Sequence, residues 1–182
     1  MRIMNWTAVE ESGPIERPPV GGYVVRVVGV EEVEPKEYVS LVYDIAEGPY
    51  ANFYDDPFGR ANPWAHRFVR SYKESARGMF KAFLCRLEES NRGFSIEQWQ
   101  RRCDARDFVG LELGVVLQYE DYTNDRGEDK ERLQVVSVVS AQDVRSGNYK
   151  VPGRKDSRRK APEAAGFGEP VPTSVYDEYL PF

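Results

Sequence analysis

The sequence is poor in the residues on which several common chemistries depend. Its 182 residues include two cysteines, Cys85 and Cys103, which lie eighteen positions apart without a CxxC pair. This spacing suggests neither a zinc knuckle nor a disulfide framework. His66 is the single histidine, and neither a nucleophile elbow nor a cysteine-protease signature accompanies it, so a catalytic triad is not expected. Gly21 and Gly22 precede a strand pattern rather than a helix, so a phosphate-cradling loop is not expected either.

Long apolar runs and an excess of positive charge are also missing. No stretch is long and apolar enough to span a bilayer, and no signal-peptide pattern is present, so the sequence predicts a cytoplasmic protein without a membrane partner. The formal net charge is −5, and acidic residues outnumber basic ones over the first 149 positions. Any nucleic-acid surface on this part of the chain must therefore be a local patch.

The charge is distributed unevenly at the C-terminal end. Residues 150–160 hold six Lys or Arg and one acid, and we call this segment the basic collar. Residues 161–182 hold no basic residue and four acids, in a Gly/Pro-rich stretch that ends in SVYDEYLPF. Such a switch of sign is typical of an interaction arm. We expect a flexible linker followed by a docking tip, in which a terminal Phe ring and carboxylate bind a basic, apolar pocket.

The remaining pattern is mainly that of strands. Residues 23–33 (YVVRVVGVEEV) form a Val-rich strand with Gly29 as a bend or bulge, and alternating apolar residues over 39–45 form a second. Alternation over 111–119, the turn TNDRGE at 123–128 and the apolar run 133–139 predict a terminal hairpin. Residues 140–145 read as one helical turn that is closed by Gly147.

A helix lies between the two pairs of strands. Ser71 and Glu74 match a capping box, and Ser95 and Gln98 match a second one ahead of a short helix. After the first box, apolar residues follow at helical spacing on one face, namely Ala76, Met79, Phe80, Phe83, Leu84 and Leu87. This order of elements predicts a mainly β protein with inserted helices: an OB-fold, the five-stranded Greek-key barrel with a helix between strands three and four. An unrelated α+β sandwich is the alternative.

Residues 64–73 (WAHRFVRSYK) are the best ligand-binding candidate. In an extended chain Trp64, His66, Phe68, Arg70 and Tyr72 share one side, whereas Arg67 and Lys73 lie on the other. Bases stack on aromatic rings whatever their identity, while Arg and Lys follow phosphates, so this combination suits single-stranded DNA. The alternative is that Trp64 and Phe68 are core residues.

Other candidates lie on flanking segments. Arg26 sits among the valines of the first strand, where it faces either a groove or an acidic partner. Core packing or ordinary turn chemistry is the alternative for the rest, which are Phe53 and Tyr54 before the segment and Tyr119, Tyr122 and Arg126 around the hairpin.

Several acids admit an enzymatic alternative. Paired carboxylates can bridge metal ions, which would suit a magnesium-dependent nuclease or another recombination enzyme. The acids stand beside Pro57 and Gly127 in turn-rich strings, where Asp commonly caps turns, so we expect no metal or other cofactor. They are Asp55, Asp56, Asp121, Asp125 and Asp129.

Two resemblances add to this interpretation. The strings PVGGYVVRVVGVEEVEPKEYVSLVYDIAEG, FVRSYKESARGMFKAFLCRLEESN, VGLELGVVLQYE and SGNYKVP, over roughly residues 18–152, resemble a phage and prophage family of Gram-positive bacteria and their viruses. Its members are OB-fold single-stranded-DNA-binding proteins, which implies non-catalytic strand binding in phage replication or recombination. The chain end also resembles the acidic tip of bacterial single-stranded-DNA-binding proteins, which ends in an Asp run and Ile-Pro-Phe. The matching residues are Asp177, Glu178, Leu180, Pro181 and Phe182, with Tyr179 interrupting the acids.

The sequence therefore predicts a non-enzymatic strand-binding protein that recruits replication or recombination proteins through its tip. The sequence fits a monomer and a homo-oligomer equally well. A nuclease and a protein–protein adaptor remain alternatives. The predicted organisation is an N-terminal arm (1–20), the OB-fold domain (21–149), a basic and then Gly/Pro-rich linker (150–173) and the docking tip (174–182).

Overall fold

Strands dominate the part of the chain that the structure describes. The computed structural model describes residues 17–55 and 66–158. Within these ranges six strands form one sheet, and the prediction of a mainly β fold is confirmed. The strands are β1 (Gly21–Val33), β2 (Tyr38–Ile45), β3 (Arg67–Ser71), β4 (Glu112–Thr123), β5 (Asp129–Val139) and β6 (Lys155–Ser157). The helices of these ranges are α1 (Arg77–Ser90), α2 (Ile96–Trp99) and α3 (Ala141–Ser146), with short 3₁₀ turns between strands and helices.

The long strand β1 organises the sheet. It pairs antiparallel with β2 on one side and with β4 on the other, which gives the order β3-β2-β1-β4-β5. The register between β1 and β2 shifts between Val27 and Gly29, so the bulge predicted at Gly29 is confirmed. A bulge bends a strand and increases its twist. The two ends of the order, β3 and β5, come into contact, so the sheet curls towards closure in a barrel-like manner.

The core lies inside the curled sheet and under α1. Alternate residues of β1, β2 and β4 point inwards, and Leu87 of α1 is fully buried beneath them. Aromatic rings join the sheet to the helices: Phe83 packs edge-on against Phe108 at 5.5 Å between ring centroids, and Trp99 stacks on Phe108 at 5.2 Å. Met79 departs from the predicted apolar stripe, since it is 68% exposed near the start of α1.

Neither predicted capping box forms, and one of the two predicted helix starts differs from the structure. Ser71 lies in β3, where its hydroxyl donates to the Glu37 carbonyl at 3.1 Å, and α1 begins only at Arg77 after a 3₁₀ turn. Ser95 is the N-cap residue of α2, as predicted, but its side chain makes no capping hydrogen bond, and the Ile96 N–H donates to the Glu88 side chain at 2.9 Å. A tertiary partner has replaced the local one at Ser71.

The hairpin and the last helix agree with prediction. β4 and β5 are joined at residues 124–128, where the Asn124 N–H donates to the Glu128 carbonyl at 2.9 Å. Ser140 and Asp143 form a reciprocal capping box at α3, and Gly147 ends that helix with a φ of 72°. Glycine suits this left-handed position because it has no Cβ to clash.

The fold continues beyond residue 149, where the linker was predicted to begin. Residues 150–158 run along the hairpin, and β6 adds a parallel strand to the edge of β4 opposite Glu120, Asp121 and Tyr122. The pairing of β1 with β4 ends where Gly21 lies opposite Leu117. β6 therefore pairs with the part of β4 that lies beyond the end of β1. Among the described helices, none has the length and apolar character needed to cross a membrane.

Candidate nucleic-acid interface

The outward side of β1, β2 and β3 is the first candidate surface. Register places Val42 of β2 between Gly29 of β1 and Arg67 of β3, and it places Ser40 between Glu31 and Val69. Two valines on this side are exposed, with Val28 at 52% and Val69 at 40%. We call the side that carries Arg26, Val28, Arg67 and Val69 the outer face.

The structure corrects the direction of the predicted stacking strip. Phe68 is 6% exposed and packs in the core against Tyr43, with ring centroids 5.9 Å apart, so it cannot stack on a base. Arg70 shares this side, and its guanidinium covers the Phe68 ring at 5.0 Å. Arg67, which was assigned to the other side of the strip, lies on the outer face. Alternation predicted the two sides of β3 correctly, but the side that faces the core was chosen wrongly.

A depression opens beside the outer face, and we call it the base-sized depression. It measures about 340 Å³. The turn after β2 forms one wall: the Tyr54 N–H donates to Asp44 Oδ1 at 3.0 Å, and the Ile45 N–H donates to the same oxygen at 2.7 Å. The Tyr54 ring packs on His66 at 4.7 Å between centroids. The lining residues are Arg26, Val28, Tyr43, Asp44, Ile45, Ala46, Asn52, Tyr54, Asp55 and His66.

The two arginines of the outer face differ in exposure, and Arg67 is only 25% exposed. Arg26 is 51% exposed and forms a long ion pair with Glu112 at 3.4 Å, so it faces the groove and an acidic partner at once. Arg67 pairs with Glu31 at 3.1 Å, and that carboxylate is 63% exposed. Ion pairs between exposed groups contribute about 0–1 kcal/mol, so a phosphate can compete with either carboxylate.

The remaining candidates near β3 serve the fold. Phe53 packs edge-on against Tyr54 at 5.0 Å, beside the base-sized depression but outside its lining. Tyr72 packs against Phe80 of α1 at 5.9 Å, and burial together with Glu32 raises the pKa of its phenol to about 12. Lys73 precedes the 3₁₀ turn before α1, and its N–H donates to Ser71 Oγ at 3.3 Å. Trp64 and the tip residues 177–182 lie outside the described residues.

The hairpin candidates have arginines over their rings. The Arg154 guanidinium lies 5.7 Å from the centre of the Tyr119 ring, and that of Arg132 lies 4.9 Å from the centre of Tyr122. Arg126 is an exposed residue of the turn, where its N–H donates to Asn124 Oδ1 at 3.0 Å. A base that stacked on the ring face nearest either arginine would have to displace that arginine.

Sequence reasoning missed Glu120, which is 2% exposed. Its carboxylate accepts a hydrogen bond from Ser157 Oγ at 2.6 Å and pairs with Arg132 at 2.7 Å and Lys155 at 3.3 Å. Burial alone would raise the pKa of Glu120, but the hydrogen bonds from Ser157 and Arg132 outweigh it and hold the pKa below its usual value. In the alternating pattern of β4, Glu120 is predicted to face solvent. In the structure β6 lies beside it and contributes Lys155 and Ser157 to its surroundings.

The described part of the basic collar is largely paired within the domain. Arg154 Nε donates to Asp121 Oδ2 at 2.7 Å, and Arg154 Nη2 donates to Glu131 at 2.9 Å. Arg158 pairs with Asp156 at 2.6 Å. Together with Lys155 on Glu120, these contacts form what we call the hairpin edge, which consists of Glu120, Asp121, Glu131, Arg132, Arg154, Lys155 and Ser157.

The predicted acids do not assemble. Asp121 binds Arg154, and Asp129 accepts a hydrogen bond from Thr123 at 2.8 Å. Asp55 lines the base-sized depression, far along the chain from both, and Asp56 is outside the described residues. Within residues 17–55 and 66–158, no three potential metal-ligating side chains come together.

No family model matches the chain, and no curated protein matches it either. The resemblance to the phage family stays a prediction from the quoted strings.

Proposed function

We propose that this protein is a non-catalytic single-stranded-DNA-binding protein of the OB-fold type, which acts in phage DNA replication or recombination in the cytoplasm of a bacterial host. The strand runs along the outer face, and the C-terminal tip recruits partner proteins. The observation that carries the proposal is the outer face itself, where the exposed Arg26, the partly exposed Arg67, exposed valines and an aromatic-lined depression lie side by side.

The order of the elements supports the OB-fold assignment. In that fold a long, bent first strand pairs with both the second and the fourth strand, and a helix between strands three and four closes one end of the barrel. Here the bulged β1 pairs with β2 and β4, and α1 follows β3 and contacts β3, β4 and β5. The contact between β3 and β5 supplies the closing edge.

The chemistry of the outer face suits a single strand better than a duplex. Unpaired bases offer apolar faces to Val28, Val69 and the Tyr54 ring, while phosphates reach Arg26 and Arg67. A duplex hides its bases and would offer this surface phosphates alone. Because the domain is acidic overall, two local arginines must carry the electrostatic part of the affinity, which then falls with salt.

The recruitment step rests on the sequence of the tip. Residues 174–182 combine acids with a terminal Pro-Phe, a combination that suits capture by a basic pocket with an apolar floor. A chain without residues 177–182 should keep the folded domain and bind single strands while losing partner capture.

The test is fluorescence anisotropy of labelled oligonucleotides with the full chain, using a single strand and a duplex of equal length across a salt series. We expect binding of the single strand with a linear fall of log affinity with log salt, and weaker binding of the duplex. A labelled strand is the better reporter because Trp99 stacks on the core residue Phe108, away from the outer face. Binding of neither nucleic acid at low salt would exclude the proposal and favour the adaptor.

A charge inserted into the outer face makes the test site-specific. Val28→Glu places a carboxylate between the strand and Arg26 at an exposed position, so single-strand affinity should fall by about tenfold, which corresponds to about 1.4 kcal/mol. Met79→Glu is the matched control, because Met79 is also exposed but lies on α1. Equal losses in the two variants would show that net charge, and not the outer face, governs binding.

A further inference from the structure

The base-sized depression carries polar groups that sequence-independent strand binding does not require. Asp44, Asn52, Asp55 and His66 line it beside Tyr54. Carboxylates repel phosphate, so a phosphate pairs with Arg26, which also lines the depression, rather than with the side of Asp44 and Asp55. The same carboxylates accept hydrogen bonds from the amino groups of bases. A nucleotide bound here therefore points its base inwards, and its phosphates stay over the arginines of the outer face.

His66 supplies an unsatisfied polar atom. Its Nδ1 is buried and has no hydrogen-bond partner among the described residues. A buried polar atom without a partner costs about 1–3 kcal/mol, which a ligand that satisfies it would recover. Burial lowers the pKa of His66 from its usual value of 6.5, so the ring is neutral near pH 7 and Nδ1 is available for a directional hydrogen bond to an uncharged group.

The turn that holds the acids and the amide is built before any ligand arrives. Asn52 adopts a left-handed φ of 58°, and its N–H donates to the Ile45 carbonyl at 2.9 Å. The Asp55 N–H donates to the Asn52 carbonyl at 3.2 Å, and Asp44 Oδ1 is held by two backbone N–H groups. Both backbone N–H groups donate to Asp44 Oδ1, so neither of them occupies Oδ2, which is the oxygen that would accept from a ligand. Pre-organised polar groups cost little to align on binding.

The size of the depression limits what it takes. About 340 Å³ lies at the small end of the range of roughly 300–1,000 Å³ that is typical of ligand sites. The Tyr54 ring, tilted by 35° against His66, provides an aromatic wall on which one base can pack. The depression therefore suits a single base rather than a stack of several.

We propose that the base-sized depression is a subsite for one nucleobase with an exocyclic amino group, so that cytosine, adenine and guanine are preferred over thymine and uracil. The amino group donates to Asp44 or Asp55, and a ring or carbonyl group of the base bonds to His66 Nδ1. This inference rests on the proposed function, to which it adds a base preference superimposed on general strand binding.

The test compares oligo-dC with oligo-dU of equal length against the full chain, at fixed salt and about pH 8, where the His66 ring is neutral. The two bases are pyrimidines of the same size and differ in a 4-amino versus a 4-oxo group. We expect oligo-dC to bind about three- to tenfold more tightly, because the 4-amino group makes about one additional hydrogen bond. The dependence of affinity on salt should be the same for both strands, since their phosphates are identical.

Two variants assign the preference to this site. Asp44→Asn retains an Oδ1 acceptor for the two backbone N–H groups but replaces Oδ2 by an amide donor, so the preference for oligo-dC should disappear or reverse. His66→Phe retains a ring against Tyr54 without Nδ1, and it should weaken binding of both strands by a similar factor. Thermal unfolding of each variant checks that the fold is intact.

The outcomes separate the two proposals. Equal affinity for oligo-dC and oligo-dU, with normal salt dependence, would overturn the base preference and leave the proposed function standing. A preference for oligo-dC that survives Asp44→Asn would place the discrimination elsewhere and overturn this assignment. Binding of no single strand at all would overturn the proposed function, and the subsite with it.

Discussion

The outer face and the hairpin edge contain the same kinds of residue and use them in opposite ways. On the hairpin edge Arg132 and Lys155 both pair with Glu120, and Arg154 pairs with Glu131. On the outer face Arg26 has a long contact to a single carboxylate, and the valines around it face solvent. Charges on the hairpin edge hold β6 to the sheet, whereas on the outer face Arg26 is half-exposed and has only a long contact to Glu112, so it remains accessible to a ligand.

This difference shows that a basic, aromatic composition near a turn does not by itself identify a binding surface. Tyr119 and Tyr122 satisfy the same sequence criterion as Tyr54, yet both lie under arginines of their own chain. The two regions differ in the number and the length of the ion pairs that each arginine or lysine already makes with carboxylates of the same domain. A surface that binds DNA needs cations whose present partners are weak enough to exchange for phosphate.

The largest expected effect comes from removing two charges from each region in turn. Arg26→Gln with Arg67→Gln should lower single-strand affinity by about tenfold or more at roughly 0.1 M salt, and it should reduce the slope of log affinity against log salt by about 1.4. Arg154→Gln with Lys155→Gln removes the same charge, but these cations already bind Asp121, Glu131 and Glu120. Anisotropy titrations should show less than about a threefold loss for the second pair.

A comparable loss of affinity in both double variants would contradict the comparison. It would mean that the hairpin edge exchanges its carboxylates for phosphate when DNA binds. Arg101→Gln serves as a further control, since this exposed residue pairs with Glu97 beside α2 and lies outside both regions.

The next effect is on stability and is confined to the hairpin edge. Glu120→Gln removes a buried charge that neutralises Arg132 and Lys155, and the free energy of unfolding should fall by about 1–3 kcal/mol. The estimate is below that for a fully buried pair because both cations are partly exposed. Urea unfolding measures the change, and strand affinity should stay within about twofold. Unchanged stability would show that Glu120 does not hold β6.

The smallest effect is the pH dependence of that same carboxylate. The folded pKa of Glu120 is lowered from its ordinary value of 4.5, so its contribution to stability is complete above about pH 4.5 and is lost as the pH falls through the folded pKa. The difference in stability between wild type and Glu120→Gln should therefore shrink on acidification below that value. Urea unfolding of both proteins at several pH values checks this, and a difference that grew on acidification would contradict the sign of the shift.

Much of the fold follows from local patterns, whereas the candidate site does not. The Val-rich first strand, the bulge at Gly29, the terminal hairpin and the capped α3 were all predicted from the sequence. The capping boxes at Ser71 and Ser95 were wrong: a tertiary hydrogen bond to Glu37 takes up the Ser71 hydroxyl, and Ser95 precedes α2 without a capping hydrogen bond. The strand β6 was missed because three polar residues carry no periodic signal, and its partner β4 lies more than thirty residues earlier in the chain.

The sequence by itself determined the alternation of β3, which separates Phe68 from Arg67, and the charge switch of the C-terminal region. Period-two alternation is a property of any extended chain and needs no other element. The tertiary structure alone decided which side of β3 faces the core, because that depends on how the sheet curls over α1. It also decided that Arg154 and Lys155 neutralise the hairpin, whereas Arg26 keeps one long contact to Glu112 at a half-exposed position, since ion pairing is settled by proximity in space.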